Sequence, residues 1–381
     1  MGMRKFMILW MGLSLLVSAC HEAPKKNETG EKILFERSEV IGMADLFGNR
    51  KYVPLETKDD CLLMDITQLL CTRDKIFIFD LYAQTVFVFD YAGNFLHKLH
   101  RVGQGPGEYA MISSMSVNEG ESLLSVTEAG NRVLQYDLNT LDYVGDVPMD
   151  ALSIEKAGDG GFWAYNSLPV LKDDVSYEYH LLKYDKMGNV EHAFLPIDLA
   201  SGYIMRPVYR FYQSDNHLCF YPPFTSRVYE LEQDTCLARY TLEYENLSYP
   251  PLEQLKDWGE HQQNYVDKLR DANFIYSMQL FENKGNLVSL FNVGRDAYIG
   301  IYNKAQRKGK YFQRKSYVSP SDQLDYYQII GSRGDCLISV LKSSEILKQQ
   351  SLIDEDLKDI REELEEDSNP VLLFATLNAS L

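Results

Sequence analysis

Residues 75–109 read KIFIFDLYAQTVFVFDYAGNFLHKLHRVGQGPGEY. Two runs within it, Ile76–Asp80 and Thr85–Asp90, consist largely of β-branched and aromatic residues, which favour strands. The link Leu81–Gln84 joins them. The turn Asp90-Tyr91-Ala92-Gly93-Asn94 then leads into a third run, Phe95–His100. A strand–link–strand–turn–strand unit supplies most of a four-stranded antiparallel sheet. Such a sheet cannot bury both faces alone. It must stack on copies of itself, as the blades of a propeller do.

The turn recurs along the chain. Asp137 follows Asp90 by 47 residues, Asp185 follows by 48 and Glu232 by 47. Asn303 comes 71 later, and a terminal run, Asn369–Asn378, ends the series. Asp and Asn cap their own backbone, and Gly or Asn accepts positive φ, so these residues suit the corner between strands. A period near 47 is that of one blade. Six apolar-rich runs are read as the inner strands: Lys75–Phe79, Ser122–Val126, Gly161–Ala164, His217–Tyr221, Asn286–Leu290 and Cys336–Leu341.

Two segments break the period with helical spacing. Pro250–Asn273 places Leu252, Leu255, Trp258, Tyr265 and Leu269 on roughly one face and is expected to interrupt a blade. Ser343–Asp367 places Ile353, Leu357, Ile360 and Leu364 in one stripe, surrounded by carboxylates that read as a solvated helix face. Calcium capture by those carboxylates lacks EF-hand spacing. The expected fold is therefore all-β: a six-bladed propeller of four-stranded antiparallel blades with two helical insertions. A strand from residues 33–56, around Val53-Pro54-Leu55, is expected to pair with Val371–Leu377 and close the ring.

The bulk numbers fit one large all-β domain or two smaller ones. The chain has 381 residues, 45% hydrophobic, with 26 Tyr and 18 Phe. Its net charge of −17 argues against nucleic acid, whose binders need a basic face.

At the amino terminus, Arg4 and Lys5 precede an apolar run, Phe6–Val17, that is too short to span a bilayer comfortably. Val17-Ser18-Ala19-Cys20 resembles the bacterial lipobox, which implies a signal peptide over residues 1–19 and lipid on Cys20. Residues 20–32 read as a flexible tether and 33–381 as the propeller. The partner so implied is a membrane, with the protein lipid-anchored in the cell envelope. His21 in place of an inner-membrane retention Asp favours the outer membrane. The remaining cysteines show no CxxC or zinc spacing. Buried free thiols are expected, with a Cys219–Cys236 disulfide as the alternative.

Two stretches offer candidate ligand contacts. Arg101-Val102-Gly103-Gln104-Gly105-Pro106-Gly107-Glu108-Tyr109 lacks the GK[ST] ending of a phosphate loop. As a link from an outer strand to the next blade, it is expected near the channel mouth, which makes Arg101, Glu108 and Tyr109 candidates. Met205–Tyr212 combines cations with aromatics, so Arg206, Tyr209 and Arg210 are candidates for an anionic or sugar ligand.

The lipobox, the GPGEY loop, the Asp-x-x-Gly-Asn turns and the terminal NPVLLFATLN together resemble the six-bladed β-propeller lipoproteins of Bacteroidetes, which are similar to NHL-repeat propellers. The likeness covers about residues 20–381. It implies fold and envelope location and supplies no catalytic residues. The seven histidines form no HExxH, and no GxSxG occurs. The leading expectation is a non-catalytic module that binds a glycan, peptide or protein, with no cofactor and no metal. The alternative is a lyase or lactone hydrolase resembling streptogramin-lyase or gluconolactonase-like propellers, with a divalent cation such as calcium at the central channel.

Overall fold

The computed structural model describes residues 30–39, 46–198, 209–214, 217–260, 265–314, 328–349 and 354–378. The lipobox, Cys20, Arg206 and Ile353 lie outside them.

Two strands open the described chain, β1 (Glu31–Arg37) and β2 (Phe47–Pro54). The opening unit then forms β3 (Gln68–Cys71), β4 (Lys75–Asp80), β5 (Thr85–Asp90) and β6 (Phe95–Leu99), paired in that order. The next sheet is β7 (Ser114–Asn118), β8 (Leu123–Glu128), β9 (Arg132–Asp137) and β10 (Tyr143–Pro148). A third follows with β11 (Ser153–Lys156) and β12 (Phe162–Tyr165). It then sends out a hairpin, β13 (Val170–Lys172) and β14 (Val175–Tyr177), before β15 (Tyr179–Tyr184) and β16 (Val190–Pro196) complete it.

The fourth meander is β17 (Phe211–Ser214), β18 (His217–Phe220), β19 (Arg227–Glu232) and β20 (Thr235–Tyr244). Helices α1 (Leu252–Glu260) and α2 (Tyr265–Asp271) lead to the fifth. This comprises β21 (Ile275–Glu282), β22 (Asn286–Val293), β23 (Asp296–Asn303) and β24 (Lys308–Arg314). The last sheet has β25 (Ile329–Arg333), β26 (Cys336–Leu341), α3 (Ser343–Lys348), α4 (Glu355–Glu363) and β27 (Val371–Leu377). Strand β2 pairs antiparallel with β27, from Phe47 opposite Leu377 to Pro54 opposite Val371, as the closing strand was expected to do.

Stacking is visible in how alternate residues divide. Strand side chains point to opposite faces at period two. Ile76 and Ile78 of β4 join one apolar cluster, which holds Ile338 and Leu372 of the last sheet. Phe77 and Phe79 join another, which holds Leu124 and Val126 of the second sheet. The opening sheet is thus dry on both faces because a neighbour covers each. Similar clusters link the second and third, third and fourth, fourth and fifth, and fifth and last sheets. This is a β-propeller.

The Asp turns work as the sequence implies. Asp90 Oδ1 accepts from the Ala92 and Asn94 backbone N–H groups at 2.8 and 2.9 Å, and Asp185 treats Met187 and Asn189 alike. Gly93 sits at φ +90°, where a Cβ would run into the Pro54 carbonyl of β2.

Three readings are corrected. The runs read as inner strands form the second strand of each meander (β4, β8, β12, β18, β22 and β26), because another strand precedes each and lines the centre. The 250–273 helices join two sheets, β20 to β21, and interrupt neither. Leu255, Trp258 and Leu269 are buried there, whereas Leu252 is 39% exposed. The described cysteines are free thiols, as expected; β19 separates the strands of Cys219 and Cys236, and the two enter different clusters. Finally, β1 takes Glu31 and Lys32 out of the stretch read as tether. It lies parallel between β20 and β24, joining two meanders into one nine-stranded sheet. Its Phe35 is fully buried and stacks on Tyr244 at 4.6 Å. Gly309 opposite Phe35 allows this, since a Cβ there would meet the Leu34 carbonyl.

The acidic segment behaves as a solvated face. Leu357 is buried, Ile360 and Leu364 pack beside it, and most of the surrounding carboxylates are exposed. Asp354 caps α4 through the Asp356 N–H and pairs with Arg50 at 3.2 Å.

Candidate functional site

The first strands of all six meanders, β3, β7, β11, β17, β21 and β25, line one cavity of about 660 Å³. Its mouth is rimmed by hairpin turns between first and second strands, including Glu119, Lys284 and Asp335. Polar side chains on these strands bond across the sheet boundaries. Gln68 donates to the Met115 carbonyl at 2.8 Å and accepts its N–H at 2.9 Å. Ser116 donates to Glu155 at 3.0 Å, and Tyr209 donates to the other oxygen of the same carboxyl. Tyr212 donates to Glu282 at 2.9 Å, and Arg333 donates to the Arg73 carbonyl at 2.9 Å.

The two buried carboxyls on this wall differ in their surroundings. Glu282 receives Tyr240 at 2.9 Å and Arg239 at 3.1 Å, and Lys304 lies 2.7 Å away. Burial alone would raise its pKa. The Lys304 and Arg239 interactions outweigh burial and hold it below the usual carboxylate range. Glu155 has two hydroxyl donors and no ion-pair partner among the described residues. Burial raises it to about 7, only partly opposed by the Tyr209 and Ser116 bonds.

Of the candidates read from sequence, Tyr209 lines the cavity. Arg210 is buried beside it, its guanidinium 5.8 Å from the Tyr165 ring and 5.6 Å from the Tyr221 ring. Arg101, Glu108 and Tyr109 lie elsewhere, in the link from β6 to β7, and pin neighbouring sheets together. Tyr109 is fully buried and donates to the Gln84 carbonyl at 2.9 Å. Arg101 donates to the Leu141 carbonyl at 3.1 Å, and Glu108 accepts the Gly105 N–H at 2.8 Å. Gly107, at φ +70°, lets the loop press on the Tyr143 ring.

Among the described residues, two groups of side chains have spacing compatible with a cation: His217, Glu230 and Glu232, and Asp159, Glu191 and Asp234. Each already holds a protein cation. Arg239 lies 2.5 Å from Glu230, and Lys183 lies 2.6 Å from Asp159 and 3.2 Å from Glu191. Neither group belongs to the central cavity.

Sequence reading missed Glu155, Glu282, Gln68 and Ser116. The available signal was an ionisable or amide residue inside a short run bounded by turns, as in SIEK and QLLC.

A family model described as a domain of unknown function, DUF4934, matches residues 32–376. The chain belongs to the DUF4934 family. No curated protein matches the sequence. Among solved structures, the chain is similar to a candidate exported protein from Bacteroides fragilis NCTC 9343, at 20% identity and a TM-score of 0.81. That alignment covers 91% of this chain and 99% of the other. It is also similar to a member of the DUF4221 family from Bacteroides vulgatus ATCC 8482, at 11% identity and a TM-score of 0.55, covering 87% and 97%. At these identities the likeness is one of fold. Streptogramin B lyase aligns with a TM-score of 0.40 at 11% identity, covering 87% and 98%, which is too distant to bear on function.

Proposed function

We propose that this member of the DUF4934 family is a lipid-anchored envelope protein whose six-bladed propeller binds a ligand in its central cavity. The cavity carries the reading. Six innermost strands converge on about 660 Å³ lined by Tyr209, Phe211, Tyr212 and Tyr221 together with amides and charged groups. A concave site with aromatic walls and a few placed polar groups is the usual form of a ligand pocket. Six four-stranded meanders, with β2 and β27 in the last, support the blade count. Glycan, peptide and protein ligands all fit this description.

Anchoring rests on the lipobox at Cys20 and on the name of the Bacteroides fragilis relative, which places that protein in export. Cys20→Ala is expected to move the protein from the membrane to the soluble fraction. A variant that still sediments with membranes would remove the lipid anchor from the account. Ligand binding is tested by screening glycans and peptides against wild type and Gln279→Trp, which places an indole in the cavity. A binder lost in the variant supports the site, and one bound equally by both places it elsewhere.

A further inference from the structure

Among the described residues, the cavity wall holds a carboxyl that lacks a counter-charge. Glu155 is 6% exposed and touches two neutral hydroxyls, Ser116 of β7 and Tyr209 beside β17. Opposite it on β12 is Trp163. The nearby cations point elsewhere. Lys156 places its ammonium 4.2 Å from the Phe162 ring and 3.4 Å from Glu121. Arg210 lies against Tyr165 and Tyr221. Arg239 and Lys304 are taken by Glu282. A carboxylate withdrawn from water and held only by neutral donors is costly unless it is protonated or meets positive charge. The five aromatic residues lining the same cavity, Phe281 among them, add rings whose faces attract cations.

Resting on the cavity reading above, we propose that the ligand enters with a protonated primary amine that pairs with Glu155. The amino terminus of a short peptide and the amino group of an amino sugar share this chemistry. Lys284 and Arg333 at the mouth are exposed and without a carboxylate partner among the described residues, so they complement the carboxylate end of a peptide.

Calorimetry at pH 7 tests this with four probes: trialanine, N-acetyl-trialanine, a glucosamine trimer and its fully N-acetylated counterpart. One free amine is expected to bind, and which one identifies the source. Acetylating that probe is expected to weaken binding by about ten-fold or more, as loss of a charge-assisted bond does. Glu155→Gln should cause a similar loss while retaining a cooperative thermal transition. Lowering the pH to 5 should also weaken binding, because Glu155 takes up a proton while the amine, already substantially charged at pH 7, can only gain charge. Equal binding of free and acetylated probes overturns the proposal, as does unchanged affinity in Glu155→Gln or binding by neither free amine. If an acetylated probe binds as well as its free form and Gln279→Trp abolishes both, the amine is wrong and the cavity reading survives.

Discussion

Deleting residues 370–381 is expected to abolish cooperative folding. Strand β27 is an interior strand, paired with β26 on one side and β2 on the other. Val371, Leu372, Leu373, Phe374 and Ala375 are all buried. They divide between the cluster shared with the fifth sheet and the cluster shared with the opening sheet. Burial of a large apolar side chain contributes about 1.5–3 kcal/mol. Four such residues therefore supply about 6–12 kcal/mol, which rivals the whole stability of a typical domain, about 5–15 kcal/mol. Removing the strand also leaves β2 without its partner and opens two sheet edges to aggregation. Far-ultraviolet circular dichroism with thermal unfolding checks this. A truncated protein that melted cooperatively at the wild-type temperature would show that the ends do not close the ring.

The second large effect is expected at Glu282. Its carboxylate joins Tyr212 and Tyr240 of the fourth meander to Lys304 of the fifth, with Arg239 as a further partner. Glu282→Ala leaves two cations and two phenols facing a vacated space. Breaking a buried pair by removing one partner costs about 3–5 kcal/mol. The lower end applies, because Arg239 keeps Glu230 and the two cations keep 16% and 20% side-chain exposure. The pH dependence has a definite sign. The folded-state pKa of Glu282 is depressed, so its contribution is fully present above the ordinary carboxylate range and is lost as pH falls through the folded value. The urea-stability gap between wild type and Glu282→Ala should therefore be widest near neutrality and should shrink in acid. A gap below about 1 kcal/mol at pH 7, the size of an exposed surface pair, would mean that this network does not hold the two sheets together.

What the sequence disclosed follows from where each strand sits. Middle strands such as KIFIFD and TVFVFD are covered on both faces, so nearly every residue is apolar and the run stands out. Their Asp-capped turns repeat because each sheet must reverse at the same corner. The first strands face the cavity, and several are only four residues long. QLLC, SIEK and FYQS therefore carry polar residues and give no strong pattern. That is why β4 and its counterparts read as the inner strands, and why Glu155 and Glu282 leave no mark in the sequence pattern. The GPGEY loop has the opposite character. It is conspicuous because Gly107 and Tyr109 must fit tightly, and the constraint is one of packing between sheets. Strand β1 was illegible for a further reason. Its parallel pairing with β20 and β24 joins residues about 200 and 270 positions away, and no local spacing records that.

Glu155 is a buried carboxyl on the cavity wall without a counter-charge among the described residues. Carbon NMR of protein labelled at the glutamate carboxyl carbon measures this directly, with Glu155→Gln identifying the resonance. The expected result is one glutamate signal, missing in the variant, that titrates at about pH 7. If every glutamate instead titrates in the ordinary range, near about 4–5, Glu155 is solvated or paired and the central claim is contradicted.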